Sequence, residues 1–185
     1  MQENIQPSKG RLLISAPFLN DIFKRSVIIL AEHNEEGSVG FILNKLTDYK
    51  LHEIIEDFPH FDAPVYIGGP VQQNSLNFIH KAKGILEGGF EIADGLYWGG
   101  NFEELKILIE SDSINAEDFK FFLGYAGWNP DQLNEEIKTI SWYLHDPTPE
   151  NIFSNQPKHL WRDVLKSMGK DYSLIASFPE DPSVN

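Results

Sequence analysis

Two β-branched runs separated by a five-residue loop constrain the fold of this chain more than any other feature. Residues 26–32 and 38–44 are rich in Val, Ile and Leu, the composition typical of buried strands. The loop between them, residues 33–37 with the sequence HNEEG, is turn-prone and ends in Gly. Two such runs around such a loop predict a β-hairpin, so an antiparallel sheet is expected.

The remaining elements mix strands with helices without a regular βαβ alternation. This order favours an α+β protein over a doubly wound parallel sheet. The 185 residues fit a single domain, which we place at 10–185 after a flexible N-terminal tail at 1–9. Hydrophobic periodicity predicts further strands at 11–15, 63–67, 76–80, 91–98, 119–125 and 172–176, and helices at 51–58, 101–110, 130–146 and 158–168.

Charge and cysteine content exclude several classes of function. The net charge is −13, with 15 Lys and Arg against 28 Asp and Glu, so the chain repels phosphate backbones and anionic lipid. Because cysteine is absent, disulfides, thiolate metal sites and cysteine nucleophiles are excluded. No apolar run approaches the ~18 residues of a membrane helix, and residues 1–10 do not resemble a signal peptide. We therefore expect a cytosolic protein with no membrane contact.

Motifs of known chemistry are missing. The phosphate-binding patterns GxGxxG and GxxxxGK[ST] and the hydrolase pattern GxSxG do not occur. The six histidines show none of the spacings that place two metal ligands on one element, so we predict no metal site and no cofactor. Gly68, Gly69 and Pro70 follow a strand, but Pro70 has no N–H for an anion. A tight turn that needs positive φ at a glycine is favoured over an anion cradle.

Polar side chains collect at the two ends of the predicted hairpin. Arg25 precedes its first strand, Glu32 and His33 end that strand, and Asn44 ends the second strand. In a candidate site, Arg25 would hold an anion and a histidine would move protons near neutral pH. A purely structural ion-pair role for Arg25 and Glu32 is the favoured alternative. The candidate ligand-binding residues are Arg25, Glu32, His33, Asn44, Gly68, Gly69 and His80.

Several segments match one known family in order along nearly the whole chain. They are GRLLISAP (10–17), Phe23, RSV (25–27), EHN (32–34), GSVGFILNK (37–45), GGPV (68–71), His80, GYAGW (124–128), Gln132, Leu133, Glu136, Trp142, Trp161, Pro182, Ser183 and Asn185. In these segments the chain resembles the AlgH/YqgE family of uncharacterised bacterial proteins. The resemblance implies a compact α+β domain with a mixed, bifurcated or partly barrel-like sheet surrounded by short helices. The family carries a label of transcriptional regulator, without a known enzyme activity or cofactor.

Three functions remain in order of preference. The first is a non-enzymatic cytosolic binding or regulatory protein that acts through a protein or small-ligand partner and affects transcription only indirectly. The second is an enzyme for a small anionic substrate at the ends of the 26–44 hairpin and the 68–70 turn. The third is direct nucleic-acid binding, which the net charge disfavours. It would need one surface patch formed by Lys9, Arg11, Lys24, Arg25 and Lys45.

Overall fold

Nine strands form one branched sheet within residues 6–82 and 84–180, the part of the chain that the computed structural model describes. They are β1 (Leu12–Ser15), β2 (Val27–Asn34), β3 (Gly37–Ile42), β4 (Val65–Ile67), β5 (Val71–His80), β6 (Phe90–Ala93), β7 (Leu96–Trp98), β8 (Phe119–Trp128) and β9 (Trp142–His145). The path across the sheet is β6-β7-β5-β8-β3-β2-β1-β9, and β4 pairs with β8 beside it. Only the β4–β8 pair is parallel among these described pairings.

Six short α-helices cover the sheet in the described part of the chain. They are α1 (Leu51–Ile54), α2 (Phe102–Glu110), α3 (Gln132–Lys138), α4 (Pro149–Ile152), α5 (Pro157–Ser167) and α6 (Lys170–Ala176), with a 3₁₀ turn at Ala116–Asp118. None of the described helices has the length and apolar character needed to cross a membrane.

Both faces of the hairpin half of the sheet are buried, which explains why its strands are apolar without alternation. Leu12 and Ile14 face one core, to which α5 contributes Trp161. Leu13, between them, faces the opposite core, where it meets Leu133 of α3. A third core lies between α1, α2 and the strands β4, β5 and β8. Because consecutive strand residues point to opposite faces, helices on both sides require a continuous apolar run.

The sheet branches at β8. One edge of β8 pairs with β5, while its other edge pairs with β4 along residues 121–123 and with β3 along residues 126–128. Gly124 lies between these two pairings and has a φ of 69°, in the left-handed region that glycine adopts without strain. The branch therefore requires a glycine at the point where β8 changes partner.

Close approach of two backbones explains the Gly68–Gly69 pair. A Cβ at Gly68 would overlap the carbonyl oxygen of Gly124, and a Cβ at Gly69 would overlap the backbone of Tyr125. Neither glycine is among the residues with positive φ. The predicted reason for these glycines, a turn with positive φ, was therefore wrong, because they make room for β8 instead.

The α+β class, the 26–44 hairpin and the strand at 119–125 are confirmed, and the sheet is bifurcated. The sheet is open but curled. The Gly10 amide donates to the Leu30 carbonyl, and a Cβ at Gly10 would touch β6, so the segment before β1 lies between β2 and the far end of the sheet. Of the predicted N-terminal tail, residues 1–5 lie outside the described part. In the remainder Pro7 is buried and Lys9 Nζ donates to the Glu91 carbonyl at 2.8 Å.

Three element predictions were wrong in part or in whole. The helix expected at 130–146 begins at Gln132 and ends at Lys138, and the chain then forms β9, because Leu12–Ser15 supplies a strand for it to pair with. The strand expected at 172–176 is helix α6, whose apolar residues pack beside α5. The helix expected at 51–58 ends at Ile54, before a turn at Asp57 with a φ of 55°.

Replacing Gly69 tests the close approach at the branch. We expect Gly69→Ala to lower the free energy of unfolding by about 3 kcal/mol or more, because the added methyl group displaces the backbone of β8. Gly127→Ala is the matched control, since the nearest atoms to its Cβ would belong to side chains, the Tyr125 ring at 3.3 Å and Val71 at 3.8 Å, rather than to backbone. Urea denaturation measures both variants, and equal losses of stability would contradict the account.

Candidate functional site

Five cationic side chains line one open pocket of about 380 Å³. The pocket lies where the turn before β2, the residues after β3 and the first turns of α5 meet. We call it the basic pocket, and its cations are Lys24, Arg25, Lys45, Lys158 and Arg162. They are a third of the 15 Lys and Arg of a chain whose net charge is −13, so the pocket is a local reversal of charge.

The turn that carries Arg25 is tied to the end of β3. Arg25 has a φ of 50°, an uncommon backbone conformation for a residue with a Cβ. Asn44 holds this turn from both sides, because its Nδ2 donates to the Arg25 carbonyl at 2.8 Å and its Oδ1 accepts from the Val27 amide at 2.9 Å. Lys45 Nζ donates to the Lys24 carbonyl. Arg25 is therefore aimed into the pocket by a constrained backbone.

The Arg25 guanidinium is held between an aromatic ring and the C-terminal segment. It lies 4.7 Å above the ring of Trp161, whose Nε1 donates to the Ser15 carbonyl at 2.9 Å. Its Nη2 donates to the Phe178 carbonyl at 2.6 Å, and its Nη1 lies 3.8 Å from the Glu180 carboxylate. Only 12% of the Arg25 side chain is exposed, against 71% for Glu180. The carboxylate is thus a peripheral partner of a buried cation.

The cations of the pocket are incompletely neutralised. Burial lowers the pKa of Arg25; Glu180 acts in the opposite direction, and Arg162 lowers the pKa further. Burial also lowers the pKa of Lys45, and Lys24 adds to that effect. Arg25 Nη1 and Arg162 Nε are shielded from solvent and make no hydrogen bond to any described residue. Buried donors without a partner are uncommon in native structures, so these two call for an acceptor that the described residues do not supply.

Arg25 and Asn44 are brought together, but Glu32 and His33 lie at the opposite end of the hairpin. The length of β2 separates the two ends by roughly 20 Å. His33 Nδ1 is 2.7 Å from the Ser38 hydroxyl across the hairpin, and Glu32 accepts from Asn34 Nδ2 at 2.8 Å. These side chains complete the turn locally, at a distance from the basic pocket.

His80, Gly68 and Gly69 are built into the sheet. The buried His80 ring accepts from the Ala82 amide at Nδ1, so Nε2 carries the proton and donates to the Gly99 carbonyl at 2.9 Å. Burial lowers the pKa of His80, and the Gly99 contact acts against that shift. The Gly68 amide donates to the Leu123 carbonyl. The seven candidate residues are therefore distributed over four places.

The five residues of the predicted nucleic-acid patch are also divided. Arg11 pairs with Asp146 at 3.0 Å, and Lys9 contacts β6, whereas Lys24, Arg25 and Lys45 belong to the basic pocket. No group of three or more His, Cys, Asp or Glu that could hold a metal ion occurs in the described residues.

A second cavity of about 670 Å³ adjoins the basic pocket, since Pro157 lines both. Lys120 of β8 is one of the residues that line it and is 2% exposed. Its Nζ donates to the Leu43 and Ile152 carbonyls, each at 2.9 Å, and lies 4.2 Å from the centre of the Tyr66 ring. Burial lowers the pKa of Lys120 to about 7. The lysine fastens β3 and α4 to the central strand.

Comparison with known proteins identifies the family. A family model described as AlgH-like matches residues 12–173. The chain belongs to the AlgH-like family. A UPF0301 protein of Cytophaga hutchinsonii is 43% identical over 180 residues, which cover 96% of this chain and 99% of the relative. A UPF0301 protein of Parabacteroides distasonis is 42% identical over 185 residues, covering 98% and 93%.

Two solved structures share this AlgH-like fold. A crystal structure of a protein from Corynebacterium diphtheriae superposes with a TM-score of 0.79 at 26% identity and covers 96% of this chain and 95% of its own. The solution structure of the AlgH protein from Pseudomonas aeruginosa superposes with a TM-score of 0.74 at 25% identity and covers 97% and 98%. The closing residues Pro182, Ser183 and Asn185 of the predicted resemblance lie outside the described part of this AlgH-like chain.

Sequence reasoning missed Lys158, Arg162 and Lys120 as site residues. Lys158, Trp161 and Arg162 have the spacing of one helix face, so a basic and aromatic face was present in the AlgH-like sequence. The sequence did not show which residues that helix face would contact. Lys120 stands within an apolar run, and a lysine there is a signal of a buried, partnered ammonium.

The lowered pKa of Lys120 predicts a pH-dependent stability. Between pH 7 and 10.5 the unfolded chain keeps a proton that folded Lys120 has lost, so burial of this lysine costs less stability as the pH rises. We expect the gain in the free energy of unfolding of Lys120→Met over wild type to be largest at pH 7 or below. That relative gain should fall by up to roughly 1 kcal/mol per pH unit toward pH 9 in urea denaturation.

Lys170→Met provides the control for this titration, because Lys170 is exposed. Its stability relative to wild type should not follow the same trend between pH 6 and 9. A difference between Lys120→Met and wild type that stays constant over this range would show that Lys120 does not titrate there.

Proposed function

We propose that this protein is a non-enzymatic cytosolic binding module whose basic pocket takes an anionic group of its ligand. The observation that carries the proposal is the convergence of five cations on an otherwise acidic protein, two of them with shielded guanidinium nitrogens that make no hydrogen bond within the described part of the chain. Hydrogen bonds from guanidinium groups to carboxylate or phosphate are stronger than neutral ones, and a partly buried site strengthens them further.

Rigid placement of the cations supports binding. The Arg25 turn is held by Asn44, and its guanidinium lies against Trp161, so little side-chain entropy remains to be lost when an anion arrives. Lys158 and Arg162 project from α5, a helix whose aligned peptide dipoles add positive potential at its first turn. The pocket therefore presents a preorganised positive field in a protein of opposite overall charge.

A binding role is favoured over catalysis because the side chains suited to move protons lie elsewhere. His33 is at the far end of the hairpin, and His80 is buried with both ring nitrogens engaged. Apart from the exposed Glu180 carboxylate, the polar side chains that line the basic pocket are cations and the Asn44 amide. Lys120, whose pKa burial lowers to about 7, lines the adjoining cavity and its Nζ is engaged by two main-chain carbonyls.

Binding of an anion should raise the melting temperature of the protein. With inorganic phosphate at ~100 times its Kd, the expected stabilisation is about 2.7 kcal/mol, which is a shift of several degrees. Arg162→Gln should weaken phosphate binding about tenfold or more, because a charged hydrogen bond is lost. Thermal shift and titration calorimetry at low ionic strength measure both effects, since salt screens them.

Lys166→Gln is the matched control, because it removes the same charge from the same helix at an exposed position that does not line the pocket. It should bind phosphate as the wild type does. If both variants weaken phosphate binding equally, the effect is one of net charge and not of the pocket. If phosphate, pyrophosphate and citrate all fail to stabilise the wild type, the proposal is overturned.

Any influence on transcription is proposed to be indirect. The basic pocket is small beside a DNA backbone, and the surrounding acidic surface opposes contact with successive phosphates. We expect no salt-sensitive binding of bare duplex DNA in a gel-shift titration up to about 10 μM protein, a concentration that lies within the usual range of non-specific dissociation constants at physiological salt, about 1 to 100 μM. Tight binding that weakens steeply with added salt would contradict an indirect role.

A further inference from the structure

A piece of polypeptide already occupies part of the basic pocket. The Arg25 guanidinium contacts a main-chain carbonyl, that of Phe178, and a side-chain carboxylate, that of Glu180. Pro179 separates these two residues, and a residue before proline is restricted to extended conformations. The guanidinium therefore contacts two acceptors that an acidic, proline-containing segment presents two residues apart.

We propose that the natural ligand of the basic pocket is an acidic, extended peptide segment of a partner protein, and that residues 178–180 act as a weak internal competitor for it. This inference rests on the proposed anion-binding function and names the ligand class and its regulation. The partner segment would place a main-chain carbonyl on Arg25 Nη2 and a carboxylate among the cations.

The internal contact has the properties of a competitor rather than of a permanent strut. Glu180 is 71% exposed, and its carboxylate lies 3.8 Å from Arg25 Nη1, beyond hydrogen-bond distance. Because its carboxylate is solvated, we expect this ion pair to act like exposed pairs, which change an equilibrium by only about one- to fivefold. A tethered segment nevertheless competes at an effective concentration on the order of millimolar.

The pocket offers more donors than the internal segment uses. Arg162 Nε is shielded without a hydrogen bond to any described residue, and Lys24 and Lys158 line the same wall. A segment with a second carboxylate or a better-placed first one would satisfy these groups and displace residues 178–180. The excess of cations over the single carboxylate of Glu180 favours a ligand with at least two negative charges.

Peptide binding in trans tests the inference on the full-length chain. The probe is a synthetic peptide with the sequence SFPED, that of residues 177–181, which carries a neutral dye for fluorescence anisotropy at low ionic strength. We expect Glu180→Gln to bind this peptide about two- to fivefold more tightly than wild type, because the internal competitor is weakened. Arg162→Gln should bind it at least fivefold more weakly than wild type, and Lys166→Gln should match wild type.

A second peptide, with glutamine in place of its glutamate, separates charge recognition from backbone contact. It should bind wild type and Glu180→Gln more weakly than SFPED does. Equal affinity of the two peptides, or equal affinity of SFPED for wild type and Glu180→Gln, would overturn the inference, because the glutamate carboxylate is then not recognised or no competition exists.

The outcomes also separate this inference from the function on which it rests. If phosphate stabilises the protein through Arg162 but SFPED gives no anisotropy change on any variant, the anion site stands and the peptide ligand is overturned. If neither phosphate nor SFPED binds, both proposals fail. A single-stranded oligonucleotide that binds through Arg162 more tightly than SFPED would replace the peptide with nucleic acid.

Discussion

The close packing of backbones around β8 is the constraint on which the rest of the structure depends. This strand carries β5 on one edge and both β3 and β4 on the other, so it joins the two halves of the sheet. The arrangement needs Gly124 at the point where β8 changes its pairing partner from β4 to β3. It also needs Gly68 and Gly69, because the segment after β4 passes close to the backbone of β8 there. Because β3 pairs with β8, the end of the hairpin is fixed in position. Asn44, which follows β3, then holds the turn that carries Arg25.

Local sequence patterns correctly predicted those elements whose secondary structure depends mainly on their own residues. The hairpin at 26–44 and the strand at 119–125 have both strand composition and turn signals, and both are present. Residues 130–146 were misread because Leu133, Ile137 and Leu144 fit a helical period. Leu144 instead pairs with Leu13 on β1, and Ile140 has a φ of 58°. A pairing with residues more than a hundred positions away overrides a local period, and no local pattern reports it.

Of the site, the sequence revealed the parts but not their grouping. Arg25 and Asn44 were singled out as polar groups at a hairpin end, and the structure joins them through the hydrogen bond that Asn44 Nδ2 donates to the Arg25 carbonyl. The cations of α5 complete the pocket, but their position depends on how that helix packs against β1 and β2. Glu32 and His33 share the hairpin with Arg25 and still lie far from it, since a strand separates its ends by its full length.

The place of β8 in the chain also determines when the protein can complete its fold during synthesis. Residues 119–128 leave the ribosome after β1 to β7, yet β3, β4 and β5 pair through them. Until the joining strand emerges, β1 to β3 can pair with one another and β5 to β7 can pair with one another, but the edges that β8 will cover stay unpaired. Non-local pairing of this kind slows folding and exposes strand edges, so the nascent chain is most prone to aggregation just before its central strand appears.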